Sequence, residues 1–344
     1  MATVKQREHY RHPVNVPEDV GALRRAVAGL AAAQSALRRG QAELVATELG
    51  TNLLRHADPG GYVLYRQTQH GIELLSVDTG PGMVSHHVPA RPASAMPAAG
   101  AFGPPASGAG GLSAGLASVR RMATDFDCYS TPAGTVLLAR LCGTHSGTGG
   151  RWRYGAVNVA LGDAGASGDA WAVRVGQQLA AVVVDGLGHG AAAATAAQAA
   201  VTVFEQRPVT DPEDFLRRAH DAMRATRGGV AGVCVIDPHR EQLTYAGIGN
   251  IAAQIANRGD KQHLVSHGGT LGTHLTAPGV HVQQRPWPPG ATLVMSSDGI
   301  RGGWDLASYP SLLSHDPTVI AATLHRDYTR PTDDATVLVV RDMS

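Results

Sequence analysis

Apolar residues along the 344-residue chain recur with two different periods, and the switches between them mark out the elements. From Val20 to Leu37 they return at helical spacing behind Pro17-Glu18-Asp19, a combination that favours a helix start. Gln41 to His56 repeats the pattern, with Leu44, Val45, Leu49 and Leu53 on one stripe. Two strand-like runs follow, Tyr62 to Thr68 and Ile72 to Asp78, and the second ends in the turn-rich DTGPG of Asp78 to Gly82. Leu112 to Met122 reads as a helix, and Phe126 to Tyr129 and Thr135 to Leu141 as strands. Helices and hairpins segregated in this way predict an α+β unit with its helices on one face of a mixed sheet.

The second half has a different rhythm. Trp152 to Ala160, Ala170 to Val175 and Leu179 to Val184 read as strands, Gly190 to Gln206 and Pro212 to Thr226 as helices. Further strands are predicted at Val230 to Ile236, Leu243 to Ile248, Ala252 to Ala256, His281 to Arg285 and Thr292 to Met295. A helix at Pro317 to Tyr328 and a strand at Ala335 to Arg341 complete the pattern, which predicts a β-sandwich flanked by helices.

Length alone predicts about two domains at roughly 150 residues each. The small polar run GTHSGTGG at Gly143 to Gly150 has linker composition and separates two apolar strands, so the expected division is 1–142, a linker at 143–150, and 151–344. A longer Pro, Gly and Ala cluster, Pro89 to Gly111, lies inside the first domain and reads as a loop over a site or as plain disorder. Lys and Arg number 29 against 28 Asp and Glu, a net charge of +1, which gives no field to draw in nucleic acid or acidic lipid. No apolar run reaches the ~20 residues of a membrane span, and MATVKQREHYRHP lacks the apolar centre of a signal peptide. Cys128, Cys142 and Cys234 are too few and too scattered for a disulfide framework or a cysteine zinc site. The expectation is a cytoplasmic protein acting without nucleic acid or membrane.

Candidate chemistry falls at element ends. Glu48 and Asn52 stand at i and i+4 on the second helix, one turn apart, a spacing that suits Mg²⁺ with its waters and equally suits a solvated helix face. Asp78 ends a strand ahead of Gly-Pro-Gly, where its carboxylate can accept from an exocyclic amine or simply shape the turn. GGLSAGL at Gly110 to Leu116 opens a helix whose free N–H groups favour phosphate. In the second half Asp169 begins a strand, Asp185 ends AAVVV and precedes GLGHG, Asp298 follows TLVMSS, and Asp333 and Asp334 precede the last strand. Any one of these aspartates could cap a turn. Together, in this order, they suit oxygen-only coordination of hard ions such as Mg²⁺ or Mn²⁺, two of which can clamp a phosphoryl group.

Residues from about His9 to Leu141 resemble the GHKL (Bergerat-fold) ATP-binding domain, and within it the small serine kinases of the RsbW/RsbT type. ELGTN matches that family's N-box, VDTGPGM its adenine box, and GGLSAGLASVRRMATDFD its second glycine box and helix. The resemblance implies an α/β sandwich that binds ATP with Mg²⁺. In it Asn52 ligates the ion, Glu48 acts as general base or positions the nucleophile, Asp78 reads adenine, and Gly80, Gly82, Gly111 and Gly115 shape the pocket and lid. Ser113 departs from the G-L-G-x-G-L pattern at its middle glycine. No P-loop motif occurs in the chain.

Residues from about Trp152 to Arg341 resemble the SpoIIE/RsbX branch of the PPM phosphatases through SGDA, VVVDGLGHGAAA, GIGNI, MSSDGI and TDDATVLVV. This implies an α-β-β-α sandwich that dephosphorylates phosphoserine or phosphothreonine proteins with two Mn²⁺ or Mg²⁺ ions. The implied ligands are Asp169, Asp185, the Gly186 carbonyl, Asp298 and Asp333, with Asp185 central to catalysis and Asp334 the lesser of its pair. His189 is implied either in protonating the leaving group or in supporting the metal loop. The joint expectation is a bifunctional regulator of partner switching, acting on a STAS-domain protein (an anti-sigma-factor antagonist or stressosome scaffold) and through it on a sigma-factor regulator. The alternative keeps the phosphatase and leaves the GHKL half a nucleotide-gated binding module.

Overall fold

The Pro17-Glu18-Asp19 start signal works as its chemistry implies. Pro17 occupies the first helical turn, where its missing N–H costs nothing, and the Asp19 carboxylate accepts from the backbone N–H groups of Asn15 (2.8 Å) and Val16 (3.0 Å). The computed structural model describes residues 2–5, 8–34, 37–38, 40–58, 60–83, 114–142, 150–162, 165–257 and 259–344. They fall into two units, one of Arg11–Gly149 and one of Met1–Tyr10 with Gly150–Ser344. The opening residues thus part from the expected 1–142 domain. Strand β1 (Ala2–Lys5) pairs antiparallel with a strand of the carboxy-terminal unit, Lys5 opposite Ala172, a pairing that its four-residue sequence ATVK does not announce.

The amino-proximal unit contains β2 (Tyr10–Val14), α1 (Pro17–Ala31), α2 (Gln41–His56), β3 (Gly61–Gln67), β4 (Gly71–Asp78), α3 (Ala114–Met122), β5 (Asp125–Thr131) and β6 (Gly134–Cys142). Its sheet has the order β2-β3-β4-β6-β5. Leu23 and Val27 of α1 and Val45, Leu49 and Leu53 of α2 pack on Val63, Ile72, Leu74, Leu137 and Ala139 of the sheet. The α2 stripe runs through Ala42, Val45, Ala46, Leu49, Gly50 and Leu53, and Leu44, expected on it, is 47% exposed because it lies one residue, about 100° of helix, off the seam. Helix α1 ends at Ala31, short of the expected Leu37, which reaches the core from a turn instead.

The carboxy-terminal unit continues with β7 (Trp152–Val159), β8 (Asp169–Val175), β9 (Leu179–Gly186), α4 (Ala191–Gln206), α5 (Pro212–Met223), β10 (Gly229–Asp237), β11 (Gln242–Ile248), β12 (Ala252–Asn257), β13 (Asp260–Leu264), β14 (Gln283–Pro286), β15 (Thr292–Ser296), α6 (Pro317–Tyr328) and β16 (Ala335–Asp342). A six-stranded sheet β1-β8-β9-β10-β11-β14 faces a five-stranded sheet β13-β12-β15-β16-β7. Trp171, Val173, Ala181 and Val183 of the first meet Ile255, Leu293, Met295 and Leu338 of the second in an apolar core. Ala196, Ala200, Phe204, Phe215 and Leu216 seat α4 and α5 on the outer face of the larger sheet, and α6 packs on β7 and β16 of the other. The α-β-β-α sandwich expected from the sequence is the architecture found.

A buried charge network lies in the middle of the amino-proximal sheet. Glu73 of β4, 1% exposed, accepts from Arg66 Nε and Arg140 Nε, both at 2.7 Å, on the strands to either side. Removing one member of such a network strands the others without their counter-charge, at about 3–5 kcal/mol. Glu73→Ala is therefore expected to lower the unfolding free energy of this unit by about 3 kcal/mol or more in urea titration. A loss under about 1 kcal/mol, the worth of a surface pair, would show that the network is not desolvated.

Candidate functional site

Two strand ends set the geometry of the carboxy-terminal site. β8 begins at Asp169 and β9 ends at Asp185-Gly186, and the antiparallel register places Asp169 directly opposite Asp185. On the facing sheet β15 stops at Ser296, so Ser297 and Asp298 emerge at its tip, and β16 starts just after Asp333 and Asp334. The four widely separated acidic motifs are thus brought to one rim of the sandwich. Ser297 Oγ–H donates to Asp169 Oδ2 at 2.6 Å across the sheets, and Ser297 Oγ in turn accepts from the Thr336 N–H at 3.0 Å.

The carboxylates are in electrostatic conflict. Burial, above all, raises the pKa of Asp169, aided by the charges of Asp334 and Asp298 and opposed by hydrogen bonds from Ser297 and Thr336. Asp185 is raised for the same first reason, and then by Asp169, Asp298 and Asp333 and by a side-chain hydrogen bond with Asp298. Asp333 is raised by burial and Asp298, with His189 pulling the other way. Asn250 Nδ2 donates to Asp298 Oδ2 at 2.6 Å and fixes that side chain.

Asp334 differs from its neighbour. It is 2% exposed, and its two oxygens accept from Leu161 N–H (2.7 Å) and Gly168 N–H (2.8 Å), which ties down the chain entering Asp169. Asp333 is partly exposed and faces Asp298. Gly186 packs so tightly on α4 that a Cβ there would collide with the Ala193 carbonyl, while its N–H donates to Gly168 O at 3.0 Å. His189 is exposed on the loop before α4.

Desolvated carboxylates that repel one another are a site for hard cations, and the donor set is oxygen only. Among the described residues no three His, Cys, Asp or Glu side chains close on a single point. Asp169, Asp185, Asp298 and Asp333, with the Gly186 carbonyl, are the oxygen donors at this rim that could hold such ions. Sequence reasoning missed Ser297 and Asn250, although both stand inside quoted motifs, and it had no signal for Asn158, whose Nδ2 donates to Asp169 O at 3.0 Å.

In the amino-proximal unit, Asp78 ends β4 nearly buried, and its Oδ1 accepts from Gly80 N–H (3.0 Å) and Thr135 N–H (3.1 Å). Leu53 of α2 and the Cβ of Asp78 both lie against Gly61, so the helix bearing Glu48 and Asn52 runs beside the end of this strand. Glu48 and Asn52 are both partly exposed. Gly82 has φ +73°, and a Cβ there would strike the Thr131 carbonyl. Gly115 opens α3, while Gly111, Ser113 and the Pro89 to Gly111 cluster lie outside the described residues.

Residues 14–141 match the histidine kinase-like ATPase domain family, and residues 176–342 match the stage II sporulation protein E (SpoIIE) family. The phosphoserine phosphatase RsbX of Bacillus subtilis (strain 168) is 32% identical over 75 residues, 22% of this chain and 38% of that protein, so the chain spans well under half of that relative. A structure described under "The bacterial stressosome: a modular system that has been adapted to control secondary messenger signaling" is 28% identical with a TM-score of 0.51, covering 56% of this chain and 100% of that one. RsbX in complex with magnesium aligns at a TM-score of 0.49 and 21% identity, over 56% of this chain and 95% of that one. No helix among the described residues is long and apolar enough to cross a membrane. The chain thus joins a region that matches the histidine kinase-like ATPase domain family, residues 14–141, to a region that matches the SpoIIE family, residues 176–342.

Proposed function

We propose that the carboxy-terminal unit is a metal-dependent protein serine/threonine phosphatase, and that the amino-proximal unit binds ATP with Mg²⁺ and phosphorylates the same partner, a STAS-domain protein of a partner-switching pathway. The observation that carries the reading is the register of Asp169 against Asp185, with Asp298 and Asp333 closing the rim from the facing sheet. The likeness to a phosphoserine phosphatase and to a stressosome-associated structure supports the substrate class. A phosphate adds about 1.5–2 negative charges to a protein surface, enough to reverse which partner docks there.

Asp169, Asp185, Asp298, Asp333 and the Gly186 carbonyl would hold two Mn²⁺ or Mg²⁺ ions. Such ions supply an acidified water as nucleophile and neutralise the phosphoryl oxygens. The chain's own residues do the rest. Ser297 and Asn250 orient Asp169 and Asp298, and Asp334 holds the entering loop. His189, exposed on the loop before α4, would either protonate the departing serine oxygen or support the metal loop. In the other unit Asp78 would read the adenine amine, Asn52 would ligate Mg²⁺, and Glu48 would orient or deprotonate the attacking hydroxyl. Ser113, in place of a lid glycine, favours a second reading in which this unit binds nucleotide without transferring phosphate.

Asp185→Asn is expected to remove Mn²⁺-dependent hydrolysis of a phosphoserine STAS substrate by more than the roughly 100-fold typical of outer-shell losses. It should also abolish the Mn²⁺-induced rise in Tm, while Tm in EDTA stays equal to wild type or rises, because one repelling charge is gone. Undiminished turnover in this variant would sink the metal assignment.

Nucleotide binding is tested by calorimetry on the full chain. Asp78→Asn keeps an oxygen for Gly80 and Thr135 but offers a donor where adenine offers one too, so ATP affinity should fall by about 10- to 100-fold. Wild-type protein that binds no nucleotide at millimolar concentration contradicts the ATPase reading.

Transfer is tested in the Asp185→Asn background, where product is not removed as it forms. Labelled phosphate from [γ-³²P]ATP should accumulate on a cognate STAS protein, and adding Glu48→Ala should stop it without loss of ATP binding. Binding without transfer to a cognate partner would leave the amino-proximal unit a nucleotide-gated docking module.

A further inference from the structure

We propose that Glu8 and His9, which precede the ATPase domain in the chain, are positioning residues for the metal-binding rim of the phosphatase unit. The inference rests on the reading of that rim as a metal site. Both residues reach the backbone around Asp169, each through one intermediary, Ser167 for Glu8 and Asn158 for His9. The Glu8 carboxylate accepts from the Ser167 N–H at 2.7 Å, and Ser167 Oγ accepts from the Asp169 N–H at 3.2 Å. His9, 2% exposed, donates its N–H to Asn158 O at 2.7 Å and takes the Asn158 N–H on Nδ1 at 3.4 Å. Asn158 then donates from Nδ2 to Asp169 O at 3.0 Å.

The Asp169 main chain is therefore held at its N–H through Ser167 and at its carbonyl through Asn158, and each holder is gripped by one residue of this segment. The grip matters because Asp169 lies opposite Asp185, and the two would splay apart if the backbone under them were loose. Asp334 fixes the same loop at Gly168 and Leu161. Glu8 adds a bond at Ser167 that no residue of the 150–344 stretch supplies among the described hydrogen bonds. Outer-shell partners of this kind commonly change metal affinity by 10- to 100-fold.

The test uses the full-length chain stripped with EDTA, with Mn²⁺ affinity from calorimetry and backbone hydrogen exchange over 165–169 in the metal-free state. Glu8→Ala should weaken Mn²⁺ binding by about tenfold and speed exchange at Ser167, leaving exchange at Thr292–Ser296 unchanged. Glu8→Gln, whose amide oxygen still accepts, should restore both. Unchanged affinity and exchange in Glu8→Ala overturn the inference, as does equal weakening in Glu8→Gln. Wild-type protein that binds no Mn²⁺ overturns the metal reading itself, and this inference with it.

Discussion

Asp169 and Asp185 face each other across neighbouring strands, and two carboxylates so placed at a desolvated rim repel unless positive charge lies near them. Much of the surrounding structure makes sense as the means of holding them there. The larger sheet fixes their register, the apolar core between the sheets fixes the distance to Asp298 and Asp333, and the Ser297 hydroxyl bridges the two sheets. An apolar rim would have been more stable without a ligand. Retaining the conflict is what supports the proposal of a cation site at this rim.

The amino-proximal unit handles buried charge in the opposite way. Glu73 is flanked by Arg66 and Arg140 and so is neutralised within the protein. Asp78, five residues along the same strand, has backbone N–H groups on one oxygen, from Gly80 and Thr135. One acidic residue is held by fixed cations and the other by neutral donors. That contrast supports the proposal that Glu73 holds the sheet together while Asp78 would meet an uncharged hydrogen-bonding partner such as an amine.

The architecture was legible where a single element carries its own signal. Apolar runs such as AAVVV mark a strand, and a carboxylate at its end marks a rim position, so the strand-end places of Asp185, Asp298 and the Asp333-Asp334 pair are legible in the sequence. Strands made by backbone pairing alone were not legible. β13 is polar along most of its length and is held by β12, and β1 has no apolar run. Roles created between distant segments were equally hidden. Ser297 matters because Asp169 lies 128 residues earlier in the chain, and Asn158 matters because its side chain turns to a carbonyl. The SSDG motif made Ser297 visible but said nothing of what it touches.

Under the proposed activities, fusion has a kinetic consequence that separate enzymes would not share. When kinase and phosphatase act on one serine, the steady-state phosphorylated fraction depends on the ratio of their activities. In a single chain the two sites are always present one to one, so expression level cannot change that ratio. A signal must act on the sites themselves, by occupancy of nucleotide or metal or by the geometry that supports either. His9 and Tyr10 both belong to the carboxy-terminal unit, and Tyr10 is also the first residue of β2. Under the same proposal, the residues that support the Asp169 backbone, Asn158 directly and Glu8 through Ser167, would be part of that geometry.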